Sequence, residues 1–278
     1  MVPWPVWAAT GFLSMSVRRR TGSPVSGSGI DFKKFDDITY EAFRRRATDP
    51  GLSLHEKVGF PDAYREGKES LILDDIGSKL TRLSLRAQVV VDVGAGCGEL
   101  TRRFMERCQE QAHRLIQVDS PEMLALLPEA PRVERVPGRF PDDCAELLDE
   151  VRGQAHCVLA YGVLSSVFVE SNVFEFVDRS LELLAEGGQL LLADLPNLSK
   201  RKRFFSSEAG VRFHQQFMDT SERPDVAFNV LEPGAFDDAV VLAIVSRCRS
   251  AGFDAYVVPQ RDGLPFANRR EDILVARP

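Results

Sequence analysis

The 278-residue sequence lacks any Cys-x-x-Cys pair, any apolar run near the roughly 18 residues that cross a bilayer, and any excess of positive charge. Each absence excludes something. The five cysteines, Cys97, Cys108, Cys144, Cys157 and Cys248, are odd in number and scattered, which argues against a disulfide framework or a zinc site and for reduced thiols in the cytoplasm. Every long apolar stretch is broken by charge, Gly or Pro, so no membrane partner is expected. With 35 Lys+Arg against 41 Asp+Glu the net charge is −6, which disfavours a global grip on nucleic acid and leaves only local basic runs at Arg44–Arg46 and Lys200–Arg203. The apolar opening stretch precedes Arg18-Arg19-Arg20, the reverse of a secretory signal, and Met15 is an alternative start. What is present, 44% hydrophobic and 27% charged residues, is the balance of an ordinary globular chain of one large domain or two small ones.

The pattern divides the chain into a flexible extension over 1–29, a helical lead-in over 30–85 and a larger domain over 86–278. Thr39–Ala47 and Leu71–Leu83 carry apolar residues three and four apart, as helices do. From Gln88 the rhythm changes to a continuous β-branched run, the mark of a strand buried on both faces. Strand-like and helical segments then alternate: strands at 114–118, 133–137, 156–161 and 189–195, and helices at 99–111, 121–127, 144–152 and 173–184. A helix over 237–251 and strands over 254–259 and 271–276 follow, the last two with no helix between them. This order predicts an α/β fold: a doubly wound, seven-stranded, mostly parallel sheet whose last strand is antiparallel, with a helical N-terminal lid and an insertion over 195–233 after the fifth strand.

In such sheets ligands bind beyond the carboxyl ends of the strands, so the turn after the first strand carries the chemistry. It reads Val91-Asp92-Val93-Gly94-Ala95-Gly96-Cys97-Gly98-Glu99. Glu99 stands where a dinucleotide fingerprint needs its third glycine, and its charge suits a pyrophosphate poorly, which disfavours an NAD-dependent oxidoreductase. Asp119 ends the second strand, where a carboxylate can accept from both hydroxyls of a ribose. A glycine loop and a ribose acid together indicate an adenosyl ligand.

These segments, with Tyr161-Gly162-Val163-Leu164-Ser165 and Leu183–Leu192, resemble the motifs of the class I S-adenosylmethionine-dependent methyltransferases over Gln88 to about Asp194. The resemblance implies S-adenosyl-L-methionine as cofactor, its methionine part held by Asp92 and the backbone of Gly94, Ala95, Gly96, Cys97 and Gly98. It implies Asp119 on the ribose, Ser120 and Met123 on the adenine, and Gly138, Arg139 and Phe140 at the adenine amino group, with Tyr161 and Gly162 completing the pocket. Arg139 departs from the Asp that many members carry, leaving adenine recognition there to backbone groups or Phe140. The carboxylates of metal-dependent O-methyltransferases do not follow the fourth strand, so no metal is expected, and the missing Asp/Asn-Pro-Pro-Tyr signature disfavours DNA adenine and protein glutamine substrates.

The acceptor expected is a small polar molecule, with a hydroxyl of a sugar or secondary metabolite first; a non-catalytic adenosyl-binding scaffold is the alternative. The lead-in and the insertion should cover the pocket. His214, with a pKa near neutrality, and Asp194 at the tip of the fifth strand are the candidates for proton removal, with His55 behind them. His55, Tyr64, Asn197, Lys200 and Arg201 are the candidates for substrate contacts. The basic run at Lys200 reads first as a solvated helix start and second as a clamp on a phosphate or carboxylate of the substrate. A homodimer stays open.

Overall fold

The computed structural model describes residues 35–230, 232 and 234–278. The extension over 1–29, and the start of the folded part expected near Ile30, lie outside the described residues. Seven strands form one sheet in the order β3-β2-β1-β4-β5-β7-β6. They are β1 (Val89–Val93), β2 (Arg114–Asp119), β3 (Val133–Pro137), β4 (Ala155–Tyr161), β5 (Leu184–Pro196), β6 (Asp254–Pro259) and β7 (Arg270–Ala276). β1 pairs parallel with both β2 and β4, and chain order reverses between those pairings, which opens a crevice at the carboxyl end of β1. β7 runs antiparallel between β5 and β6, as the missing crossover helix requires.

Successive side chains of the central strands face opposite ways, so their unbroken apolar runs feed two cores. Val91, Val93, Leu190 and Leu192 face one core, closed by helices over Ala145–Val151, Val173–Glu182 and Asp238–Ser250. Val90, Leu191 and Ala193 face the other, closed by helices over Glu69–Lys79 and Glu99–Glu110. Sequence sets the helix ends. Asn172 and Asp237 accept from the first free N–H groups of the helices that follow them, and Thr101, Phe104, Met105 and Cys108 form the buried stripe of 99–110.

Two boundaries differ from the sequence reading. The helix expected over 71–83 is an α-helix over Glu69–Lys79 and a 3-10 turn over Thr81–Ser84, parted at Leu80, whose ψ of 74° is not helical. β5 begins at Leu184 instead of Gln189, because an irregularity in its pairing with β4 accommodates Gly187 at φ 64°.

The first strand is also anchored by two imidazoles. His113 Nδ1 accepts from Gln88 N at 3.0 Å and His156 Nδ1 from Val89 N at 3.1 Å, which only an unprotonated nitrogen can do. Burial lowers both pKa values below the ordinary 6.5. A depressed pKa means that the unfolded chain takes the proton first, so this contribution to stability is complete above about 6.5 and is lost as pH falls below it. Thermal melts of wild type and of a His113→Asn, His156→Asn double variant should show it. The variant is less stable at neutral pH and loses less on acidification, whereas parallel pH profiles would remove the histidines from the acid response.

Candidate active site

Labelling helices in chain order, α1 is Tyr40–Thr48, α2 Leu54–Lys57, α3 Asp62–Arg65, α4 Glu69–Lys79, α5 Glu99–Glu110 and α6 Pro121–Leu124. Between β1 and α5 the chain doubles back through Gly94 (φ 70°) and Gly96 (φ 66°), a conformation that side-chain-bearing residues rarely adopt. A Cβ on Gly94 would collide with the Val163 side chain, and one on Gly96 would lie 2.9 Å from Val58. Gly94 N and Ala95 N both donate to Val118 O, and Asp119 fastens the loop to β2 by accepting from Gly96 N at 2.7 Å and Ser120 N at 2.6 Å.

One cavity fills the crevice. Asp92, Gly94, Ala95, Gly96, Gly98, Asp119, Met123, Gly138, Arg139, Phe140, Tyr161 and Gly162 all line it. Burial pushes the Asp92 carboxyl up to about 7, helped by the neighbouring Asp119 charge. Burial likewise raises Asp119 to about 6, against the pull of its two N–H donors. Two neighbouring acids, Asp92 buried and Asp119 half-buried, favour a ligand that brings donors or positive charge. Two expected residues stand behind the wall. Cys97 is fully buried beside Ala47 and Met123, its thiol pushed up to about 11 by burial, and the Ser120 hydroxyl caps α6 by accepting from Met123 N at 3.2 Å.

The lead-in supplies the opposite wall: Tyr40, Phe43, His55, Val58, Phe60, Arg65, Glu69 and Ile76. α2 opens on a capping box between Ser53 and Glu56, which holds His55 toward the cavity. His55 Nε2 lies 2.8 Å from Glu69 Oε1 and its Nδ1 lies 2.9 Å from Asp62 Oδ1. Glu69 is 6% exposed and Asp62 49%, so the three form a chain from the cavity wall to water.

The other residues expected to act on the acceptor are placed elsewhere. His214 is buried on the helix Glu208–Met218, edge-on to Phe205 with ring centroids 6.4 Å apart, and does not line the cavity. Asp194 is 2% exposed and spent on structure: Oδ2 accepts from Arg65 at 3.0 Å and Arg270 at 2.6 Å, and Oδ1 from Gln260 at 3.3 Å. Tyr64 packs at a tilt against Phe217 and Phe266. Asn197 caps the helix Leu198–Ser206 and donates to Asp238 and Glu271. Lys200 Nζ donates to Arg270 O at 2.6 Å, and Arg201 lies over the Phe205 ring. Among the described residues none of the insertion from Leu198 onward lines this cavity, so of the two expected covers only the lead-in reaches it. Of the substrate candidates only His55 reaches it.

Glu69, Tyr40, Ser166 and Glu170 were not singled out from sequence and do line it. The available signal was the capping box ahead of His55, which marks a fixed helix start but not the direction it faces. Among the described residues no group of three or more His, Cys, Asp or Glu side chains is placed to hold a metal ion, and no helix is long and apolar enough to cross a membrane.

No protein-family profile matches the sequence, and no curated protein sequence does. Solved structures do resemble it. The CurJ carbon methyltransferase is 16% identical with a TM-score of 0.51, covering 85% of this chain and 66% of that one. A chain from the complex of the Haloferax volcanii Trm112 methyltransferase activator with a methyltransferase is 14% identical, with a TM-score of 0.49 over 84% of this chain and 96% of that one. An S-adenosylmethionine-dependent methyltransferase from Aquifex aeolicus is 12% identical, with a TM-score of 0.46 over 80% of this chain and 95% of its own. Strand order, crevice and the likeness to the carbon methyltransferase agree: the chain has the fold of the class I S-adenosylmethionine-dependent methyltransferases.

Proposed function

We propose that this protein transfers a methyl group from S-adenosyl-L-methionine to a small polar acceptor, a hydroxyl first among them. The observation that carries this is the single cavity in which the glycine loop, Asp119 and Met123 meet the acid and imidazole of the lead-in. The loop fits the cofactor because its two left-handed glycines leave the backbone bare where a Cβ would be obstructed. Asp119 keeps acceptor capacity for the ribose hydroxyls, Met123 and Phe140 offer apolar surface to the adenine, and Asp92 takes the amino-acid end. When bound, the cofactor supplies a methyl carbon on a cationic sulfur that leaves as a neutral thioether.

The chain's own work is to align, to keep water out and to remove a proton. Phe43, Phe60, Val58 and Val163 belong to the apolar part of the wall. Glu69 takes the acceptor's proton, His55 carries it on, and Asp62 delivers it to solvent. His55 faces a carboxylate at each ring nitrogen, so a proton entering at Glu69 can leave at Asp62 without an unpaired charge remaining buried.

Calorimetry with S-adenosylhomocysteine tests the reading: binding is expected, with no response to NAD, and the reverse pattern would refute it. Asp119→Ala should weaken binding by at least about 100-fold, since two charge-assisted hydrogen bonds of about 1.5–3 kcal/mol each are lost. An unchanged affinity would remove Asp119 from the ribose. Binding should also tighten as pH rises through about 7, because the ligand's ammonium favours ionised Asp92 and expels its proton. Binding heats that do not vary with the buffer's ionisation enthalpy would exclude that proton release.

A further inference from the structure

We infer that the acceptor carries an oxyanion, a carboxylate or phosphate, and that Arg65 receives it. This rests on the methyl-transfer reading above and names the chemical class of its acceptor. Arg65 lines the cavity, its side chain is only 8% exposed, and its Nε has no hydrogen-bond partner among the described residues. The rest of the guanidinium is fixed. Nη2 donates to Asp194 at 3.0 Å, and the cation lies 3.9 Å from the Phe60 ring centroid and 5.1 Å from that of Tyr161.

Leaving a buried N–H of a charged group unpaired is costly, and such donors in native proteins usually find a partner on the ligand. The local charge agrees. Asp194 serves two guanidiniums at once, Arg65 and Arg270, while Arg269 lies in the same aromatic cluster with its pKa pushed down to about 9, chiefly by burial and then by Arg270 and Arg201. Asp194 therefore divides its charge between two guanidiniums, and an anionic acceptor gives Arg65 a second partner. A planar guanidinium held on one face by an aromatic ring presents its free edge in the geometry that carboxylates and phosphates match. Arg65 thus holds the acceptor in the cavity that Glu69 also lines.

The cofactor's own carboxylate is the competing source, and the test separates the two. With the S-adenosylhomocysteine complex of the wild type, benzoate and phenyl phosphate are titrated by calorimetry against neutral benzamide. At least one anion should bind in the millimolar range and benzamide at least 10-fold more weakly, a difference of about 1.4 kcal/mol. In Arg65→Gln the preference disappears while affinity for S-adenosylhomocysteine stays within about 3-fold. Equal binding of anions and benzamide to wild type, or no binding of either anion, overturns the inference without reference to any variant. A loss of S-adenosylhomocysteine affinity in Arg65→Gln, with that of 5′-methylthioadenosine unchanged, would assign Arg65 to the cofactor instead. If wild type binds no S-adenosylhomocysteine, the methyl-transfer reading itself fails.

Discussion

Glu69→Gln slows methyl transfer by about 10²- to 10⁴-fold, the range for removing a positioned acid or base, while S-adenosylhomocysteine binds within about 3-fold of wild type. The substitution keeps the volume of the side chain and leaves an amide oxygen to face His55 Nε2, so the α2–α4 contact survives. What is lost is the ability to take a proton. Any acceptor that the wild type methylates serves for the assay. Asp62→Asn should cost less, because that end of the chain already meets water. His214→Ala is the control: the imidazole packs on Phe205 outside the cavity, and turnover should hold. Full activity in Glu69→Gln together with a dead His214→Ala would restore the insertion as the source of the base.

Arg270→Met destabilises the fold by about 3–5 kcal/mol, the cost of breaking a buried ion pair from one side. Arg270 is 4% exposed and donates to both the side chain and the carbonyl of Asp194, between Phe60 and Phe266. Without it, Asp194 stays buried with Arg65 and an amide as its remaining partners. At about 2–4 °C per kcal/mol for a chain of this size, the melting temperature should fall by roughly 6–20 °C. Arg203→Met is the comparison. Its pair with Asp238 is half exposed on both sides, and the loss should stay within about 1 kcal/mol. Equal shifts in the two variants would show that burial does not set the value of the Asp194 pair.

The sheet and the glycine loop were legible because their signals are local. A β-branched run such as Val89–Val93 admits few structures other than a strand covered on both faces, and the glycines after it announce a backbone turn whatever surrounds them. The lead-in was legible as a helical cover, but not in which of its side chains face the cavity. Arg65 and Asp194 meet across 129 positions of sequence, and nothing in the neighbourhood of either states the pairing. Asp194 illustrates the difficulty. An acid at a strand tip reads the same from sequence whether it faces a substrate or a cation, and here the β5–β7 pairing brings Arg270 to it. The basic run misled for a related reason. Read as one patch it suggests an anion clamp or a solvated face, but in the fold each cation goes its own way, Lys200 to Arg270 O, Lys202 to Glu232 and Arg203 to Asp238.

The pairing of β5 with β7 slips between Leu192 and Leu195, three positions on one strand facing two on the other, and Asp194 occupies the irregularity at φ 61°. Because side chains alternate along a strand, one supernumerary residue reverses the phase of everything after it. The arm of two helices beyond Pro196 therefore leaves the sheet on a heading written by a single amino acid. Anyone transplanting that arm onto another parallel sheet would have to carry the slip along with it, or the arm would depart from the opposite side.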